Sequence, residues 1–141
     1  MSQNIVWISF ALLSAFFAGL VAIFGKIGIQ NIDSTLATTV RAAIMAVFLI
    51  AVSFTLGKFS LFEQIDKHAF LFIFLAGIAG ALSWIFYFSA LKYGPVKGVA
   101  SLDRLSVAMA IILAAAFLGE KLILKNIIGL ILLILGALLL L

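Results

Sequence analysis

The sequence predicts an all-α integral membrane protein: a bundle of five transmembrane helices forming one domain over residues 1–141. Three observations carry that class. First, 67% of the residues are hydrophobic and 10% charged, with a mean hydropathy of +1.40. A soluble domain carries about 25% charged residues, and so few charges could not cover a water-facing surface. Second, the apolar residues gather into five runs near the roughly 20 needed for a helix to cross a bilayer. Third, the runs do not alternate and are too long for barrel strands, which need only about 10 residues of alternating character.

The elements follow in chain order. The first run, about 5–25, closes at Lys26. Its start, MSQNIVW, lacks a charged leading region and a small-residue cleavage site, so it reads as a retained span. The second run, about 35–56, has Asp33 or Ser34 as its N-cap. The third, about 69–91, stops at the Gly94-Pro95 pair, because proline disfavours helix in the residue before it. The fourth, about 96–118, reads as one helix ending at Gly119. The fifth begins at Ile123 or Ile127 and runs to Leu141; it is short. The connections are brief and leave no room for a soluble domain.

Charge bears on orientation and on partners. The net charge of +4 rests on nine Lys and Arg, mostly near segment ends. Long basic side chains there anchor helices at the headgroups, and no nucleic-acid partner is implied. Five spans place the termini on opposite sides. The N-terminal side then holds Lys58, Lys67, Lys121 and Lys125; the other holds Lys26, Lys92 and Lys97, with Arg41 and Arg104 sunk in adjacent helices. Positive charge sets orientation, but this bias is too small to choose one, and insertion both ways stays open. The chain has no cysteine, no histidine pair for a metal and no phosphate-cradling glycine loop. Neither an enzyme nor a metal or organic cofactor is expected.

Within the apolar runs, a few polar residues stand out. VASLDRLSVAMA (99–110) places Asp103 and Arg104 side by side. Neighbours on a helix point about 100° apart, so the two are expected to need separate partners. Asp103 lies about 10 Å into its span by helical rise. A charge there costs about 2.5–3.5 kcal/mol on insertion scales, so both residues should face protein or a wet cavity. Asp103 shares a face with Ser106. On the second helix Ser34, Thr38, Arg41 and Met45 make one stripe; on the third, Gly80, Trp84 and Tyr87 make another. Lys26 closes the first. These residues fall at similar depth, as the lining of a cavity would. Lys26, Thr38, Arg41, Trp84, Tyr87, Asp103, Arg104 and Ser106 are therefore candidates for a substrate cavity or a buried ion pair. Asp103 with Arg41 or Lys26 reads equally as a lock that holds the bundle, and Trp84 and Tyr87 as packing. Small residues favour close helix contact in lipid. Gly129 and Gly136 on the fifth helix serve either the bundle or a dimer interface.

The stretches ALLSAFFAGLVAIFGKIGIQNIDSTLATTVRA (11–42), ALSWIFYFSALKYGPVKGVASLDRLSV (81–107) and AFLGEKLILKNIIGLILLILGALLL (116–140) resemble the EamA-type domain of the drug/metabolite transporter superfamily. The likeness covers nearly the whole chain. It is carried most by the order of Lys26, Asp33-Ser34-Thr35, Arg41, Gly94-Pro95, Asp103-Arg104-Leu105-Ser106 and Gly119-Glu120-Lys121-Leu122. The small five-helix bacterial and archaeal branch is the nearest in pattern. The resemblance implies a multi-pass protein of the cytoplasmic membrane that moves a small metabolite. Larger members hold two five-helix repeats of opposite orientation around a central cavity, and this chain resembles one repeat. That implies a homodimer, which antiparallel insertion would allow, or pairing with a similar small membrane protein. The four-helix multidrug relatives carry a glutamate inside the first helix; the run 5–25 holds no acid. Their proton-for-cation exchange does not carry over. The interior charges are net positive and suit an anionic or zwitterionic metabolite, such as an amino acid. The alternative is a non-transporting subunit of a larger membrane complex.

Overall fold

A computed structural model describes residues 3–141, with side chains from residue 5 onward. The first two residues of MSQNIVW lie outside the described residues. The described residues form six α-helices: α1 (Gln3–Gly28), α2 (Ser34–Thr55), α3 (Lys67–Tyr93), α4 (Val96–Asp103), α5 (Leu105–Leu118) and α6 (Leu124–Leu139), with a 3-10 helix at Lys58–Gln64. No strand occurs among the described residues. Among the described residues four stretches are long and apolar enough to cross a membrane: Ile5–Gly28, Ser34–Thr55, Lys67–Tyr93 and Val96–Leu118. α6, with 16 residues, is shorter. Four of the five expected spans thus meet the length of a crossing helix, and the fifth, expected to be short, is a short apolar helix.

Local chemistry sets the ends. Asp33 caps α2: its Oδ1 accepts from the Thr35 and Leu36 amides at 2.9 and 3.0 Å. That satisfies two of the donors a helix start leaves open. Asp66 does the same for α3, accepting from the Ala69 amide at 2.6 Å, so α3 starts before the expected position. The segment between α2 and α3 is not plain loop. Gly57, at φ 64°, turns the chain into the 3-10 helix, a left-handed geometry glycine adopts without penalty. Gly119, at φ 69°, ends α5, with its amide bonded back to Ala114 O.

The fourth span departs from expectation. It is broken into α4 and α5 at Asp103–Arg104. Arg104 N bonds Ser101 O at 3.2 Å and Val107 N bonds Arg104 O at 3.0 Å, a tighter turn than the α-helical ladder. Ser101 Oγ donates back to Lys97 O at 2.6 Å. Such a bond draws a carbonyl away from the ladder and bends helices.

The chain divides into two compact units. One joins the residues up to Lys26 with Tyr93–Leu141. There α6 packs on both α4 and α5. Gly98 is buried, and a Cβ on it would meet Leu141 at 3.5 Å and Pro95 at 3.6 Å. The other unit is Ile27–Lys92, with α2, the 3-10 helix and most of α3. Ser34 Oγ and Ser89 Oγ lie 3.2 Å apart, and Arg41 meets Trp84 further along. The pairs run in opposite order along the two helices, so α2 and α3 are antiparallel. Nearly all large apolar side chains on these helices are exposed in the protein itself. In lipid that is the covered state, since no water is there to expel them.

Candidate functional site

The α2–α3 pair holds the most distinctive polar feature. Seven residues after Ser34, two turns up α2, Arg41 lays its guanidinium carbon 3.6 Å from the Trp84 ring centroid and 5.6 Å from that of Phe88. Trp84 is braced in turn by Tyr87, edge-on at 5.5 Å, and by Phe88 at 5.8 Å. A guanidinium face on an indole is an electrostatic contact as well as a packing one. It uses the plane of the group and leaves the N–H edge free. Among the described residues no side chain or carbonyl accepts a hydrogen bond from Arg41.

Arg41 lines a cleft of about 670 Å³ between the two helices. Its α2 wall is Thr38, Thr39, Arg41, Ala42, Met45, Ala46 and Leu49; its α3 wall is Ala76, Gly77, Gly80, Ala81, Trp84 and Ile85. The small residues of α3 make the space: a Cβ on Gly77 or Gly80 would meet nothing within 4 Å. The hydroxyls of Thr38 and Thr39 donate back to Ser34 O and Thr35 O at 2.8 and 2.9 Å. Arg41 is thus the strong donor of the cleft. A volume of this order suits a small-molecule ligand.

The expected site residues divide between the two units. Thr38, Arg41 and Trp84 line the α2–α3 cleft, and Tyr87 supports Trp84 from behind. Lys26, Asp103, Arg104 and Ser106 belong to the other unit. Lys26 Nζ donates to Gly94 O at 3.0 Å, tying the end of α1 to the turn after α3. Asp103 and Arg104, expected to need separate partners, pair with each other at 3.7 Å. The helix break makes this reachable, because the two residues no longer sit on one regular helix. The pair is loose and open, with side chains 36% and 50% exposed. Ser106 is exposed. Gly129 is exposed and Gly136 half-buried, and a Cβ on either would meet nothing within 4 Å.

Two residues went unnoticed in the sequence. Ser89 pairs with Ser34 and closes the polar end of α2–α3; it lies two residues beyond Tyr87 and had no stripe of its own. Asp66 caps α3; an Asp three residues before Ala69 was the available signal. Among the described residues no group of three or more His, Asp or Glu is placed to hold a metal ion.

Similar proteins are named as transporters. A protein of Sinorhizobium sp, described as an uncharacterized transporter in the cobO 3′ region, is 42% identical over 140 residues, covering 99% of this chain and 98% of that protein. No solved structure matches the chain. The model of the EamA-like transporter family matches residues 5–141, which take in all four spans and the short sixth helix. The chain is a multi-pass membrane protein belonging to the EamA-like transporter family.

Proposed function

We propose that the protein is a secondary carrier, facilitator or exporter for a small polar metabolite, anionic or zwitterionic, of which an amino acid is one example. It works as a dimer around a central cavity by alternating access, in the cytoplasmic membrane of a bacterium or archaeon. One observation supports this most: a cation inside a membrane-spanning helix lines a ligand-sized cleft, held by stacking on Trp84, with no acceptor from the described residues. An ionisable residue inside a span is costly and marks a functional site by default. The dimer draws on length. The Sinorhizobium relative is covered at 98%, so it too is built on this scale, whereas carriers of repeat architecture place their site where two repeats meet.

The rival reading, an assembly subunit locked by interior ion pairs, draws less support. The Asp103–Arg104 pair, at 3.7 Å, joins two residues adjacent in sequence and so ties no two helices of the bundle together.

The test is flux. The purified protein is reconstituted in liposomes loaded with a panel of labelled amino acids and organic acids. At least one compound should leave faster than from loaded liposomes without the protein. Arg41→Ala should abolish that flux while the protein still elutes as a folded dimer. If every compound leaves a well-folded preparation only as fast as it leaves loaded liposomes without the protein, the carrier reading fails and the assembly-subunit reading replaces it.

A further inference from the structure

The lining of the α2–α3 cleft contains one ionisable side chain, Arg41, and no carboxylate. Its charge is therefore unbalanced within the cleft. Trp84 holds the guanidinium by its face, which leaves the in-plane N–H fork for a ligand. That fork matches a carboxylate's two oxygens. The threonine hydroxyl protons are already used by their own helix. Beyond Arg41 the walls turn apolar, with Met45 and Leu49 facing the glycines of α3.

We propose that this cleft binds an organic monoanion with an apolar body, its carboxylate on Arg41 and its body between Met45 and Gly80. This rests on the carrier reading above and narrows the substrate class from anion or zwitterion to anion. A zwitterion would bring an ammonium beside the guanidinium, where no carboxylate of the lining receives it. A cation would meet Arg41 directly. A wholly polar anion would leave the apolar walls unused.

Three probes with one ring and different charge test this: phenylacetate, phenylalanine and phenethylamine. The chain has two tryptophans, so Trp7→Phe leaves Trp84 as the sole indole reporter, beside the site. The variant is held in phosphatidylcholine nanodiscs and its emission followed during titration. Phenylacetate should change the emission saturably, with the other two at least about tenfold weaker. Arg41→Gln in the same background should weaken phenylacetate about 10- to 100-fold, the range for hydrogen bonds to a charged group. Gly80→Leu, which keeps Arg41 and fills the cleft, should block binding.

Equal response to phenylalanine, no response to phenylacetate, or undiminished binding in Gly80→Leu each overturns the proposal. If phosphatidylglycerol in the nanodisc changes the emission with no phenylacetate added, the head belongs to a lipid and the soluble-metabolite assignment falls. Failure here and failure of the carrier reading are separable. Amino-acid flux in liposomes with a silent phenylacetate titration removes the monoanion site and leaves the carrier. Phenylacetate binding with no flux of any compound does the reverse.

Discussion

Arg41 shows how a single side chain can be both held and available. Its face lies on Trp84 at 3.6 Å, and a contact of this kind is worth about 0.5–2 kcal/mol, more as water is excluded. A double-mutant cycle with Arg41→Gln and Trp84→Leu, read by SDS-induced unfolding in micelles, should return a coupling of about 1 kcal/mol. Additivity of the two changes would mean that the rings merely sit near the charge. Asp33 is the simpler case. It caps α2 through two amides, so Asp33→Ala should cost about 0.5–2 kcal/mol in the same assay, whereas Asp33→Asn should cost little, since an amide oxygen caps as well. Equal losses would point to the charge rather than the cap. Both residues were legible in the sequence. Asp33 stands just ahead of an apolar run, and Arg41 interrupts one at helical spacing from Ser34, Thr38 and Met45. The stacking partner was legible only as a stripe, Gly80, Trp84 and Tyr87. Which ring would receive the guanidinium depends on how α2 and α3 lie together, and periodicity within each helix carries no register between them.

At the scale of elements, the four long spans were legible because length and apolar composition decide them. The break at Asp103–Arg104 was not. No proline or glycine lies between Gly98 and Gly119, and those are the usual marks of a kink. The signal that did exist is quieter: Ser101, able to bond back to Lys97 O, followed by two adjacent charges. Hydrogen exchange offers a direct measure. Around the break, Arg104 and Val107 bond three residues back rather than four, and short-range turns of that kind are weaker. A peptide covering 101–108 should therefore exchange faster in nanodiscs than one covering 110–117, deep in α5. Asp103→Ala combined with Arg104→Ala should slow the first peptide toward the second by letting the helix run on. Equal protection of both peptides in the unmodified protein would show a continuous helix in the bilayer.

For the whole molecule, α6 is the element that bears most on the proposed dimer. α6 has 16 residues, about 24 Å by helical rise, against a hydrocarbon core of about 30 Å. A helix that short crosses by thinning the bilayer or by pairing with a neighbour. Gly129 and Gly136 would let a second backbone come close, since nothing in the chain itself stands within 4 Å of a Cβ there. If the dimer forms on α6, Gly136→Leu should shift the purified protein toward monomer in light scattering, and Ile131→Ala, exposed on the opposite face of α6, should not. Orientation is the sharper question, because the basic side chains are nearly balanced between the two sides. With no native cysteine, one cysteine can be placed at Ser60 in the exposed 3-10 helix and another after Leu141. Intact cells are then treated with a membrane-impermeant maleimide. An antiparallel pair of identical chains requires each site to label in about half the molecules, because each then faces outward in one copy and inward in the other. Labelling at one site alone would fix a single orientation. The inverted partner that a repeat carrier needs would then have to be a different chain.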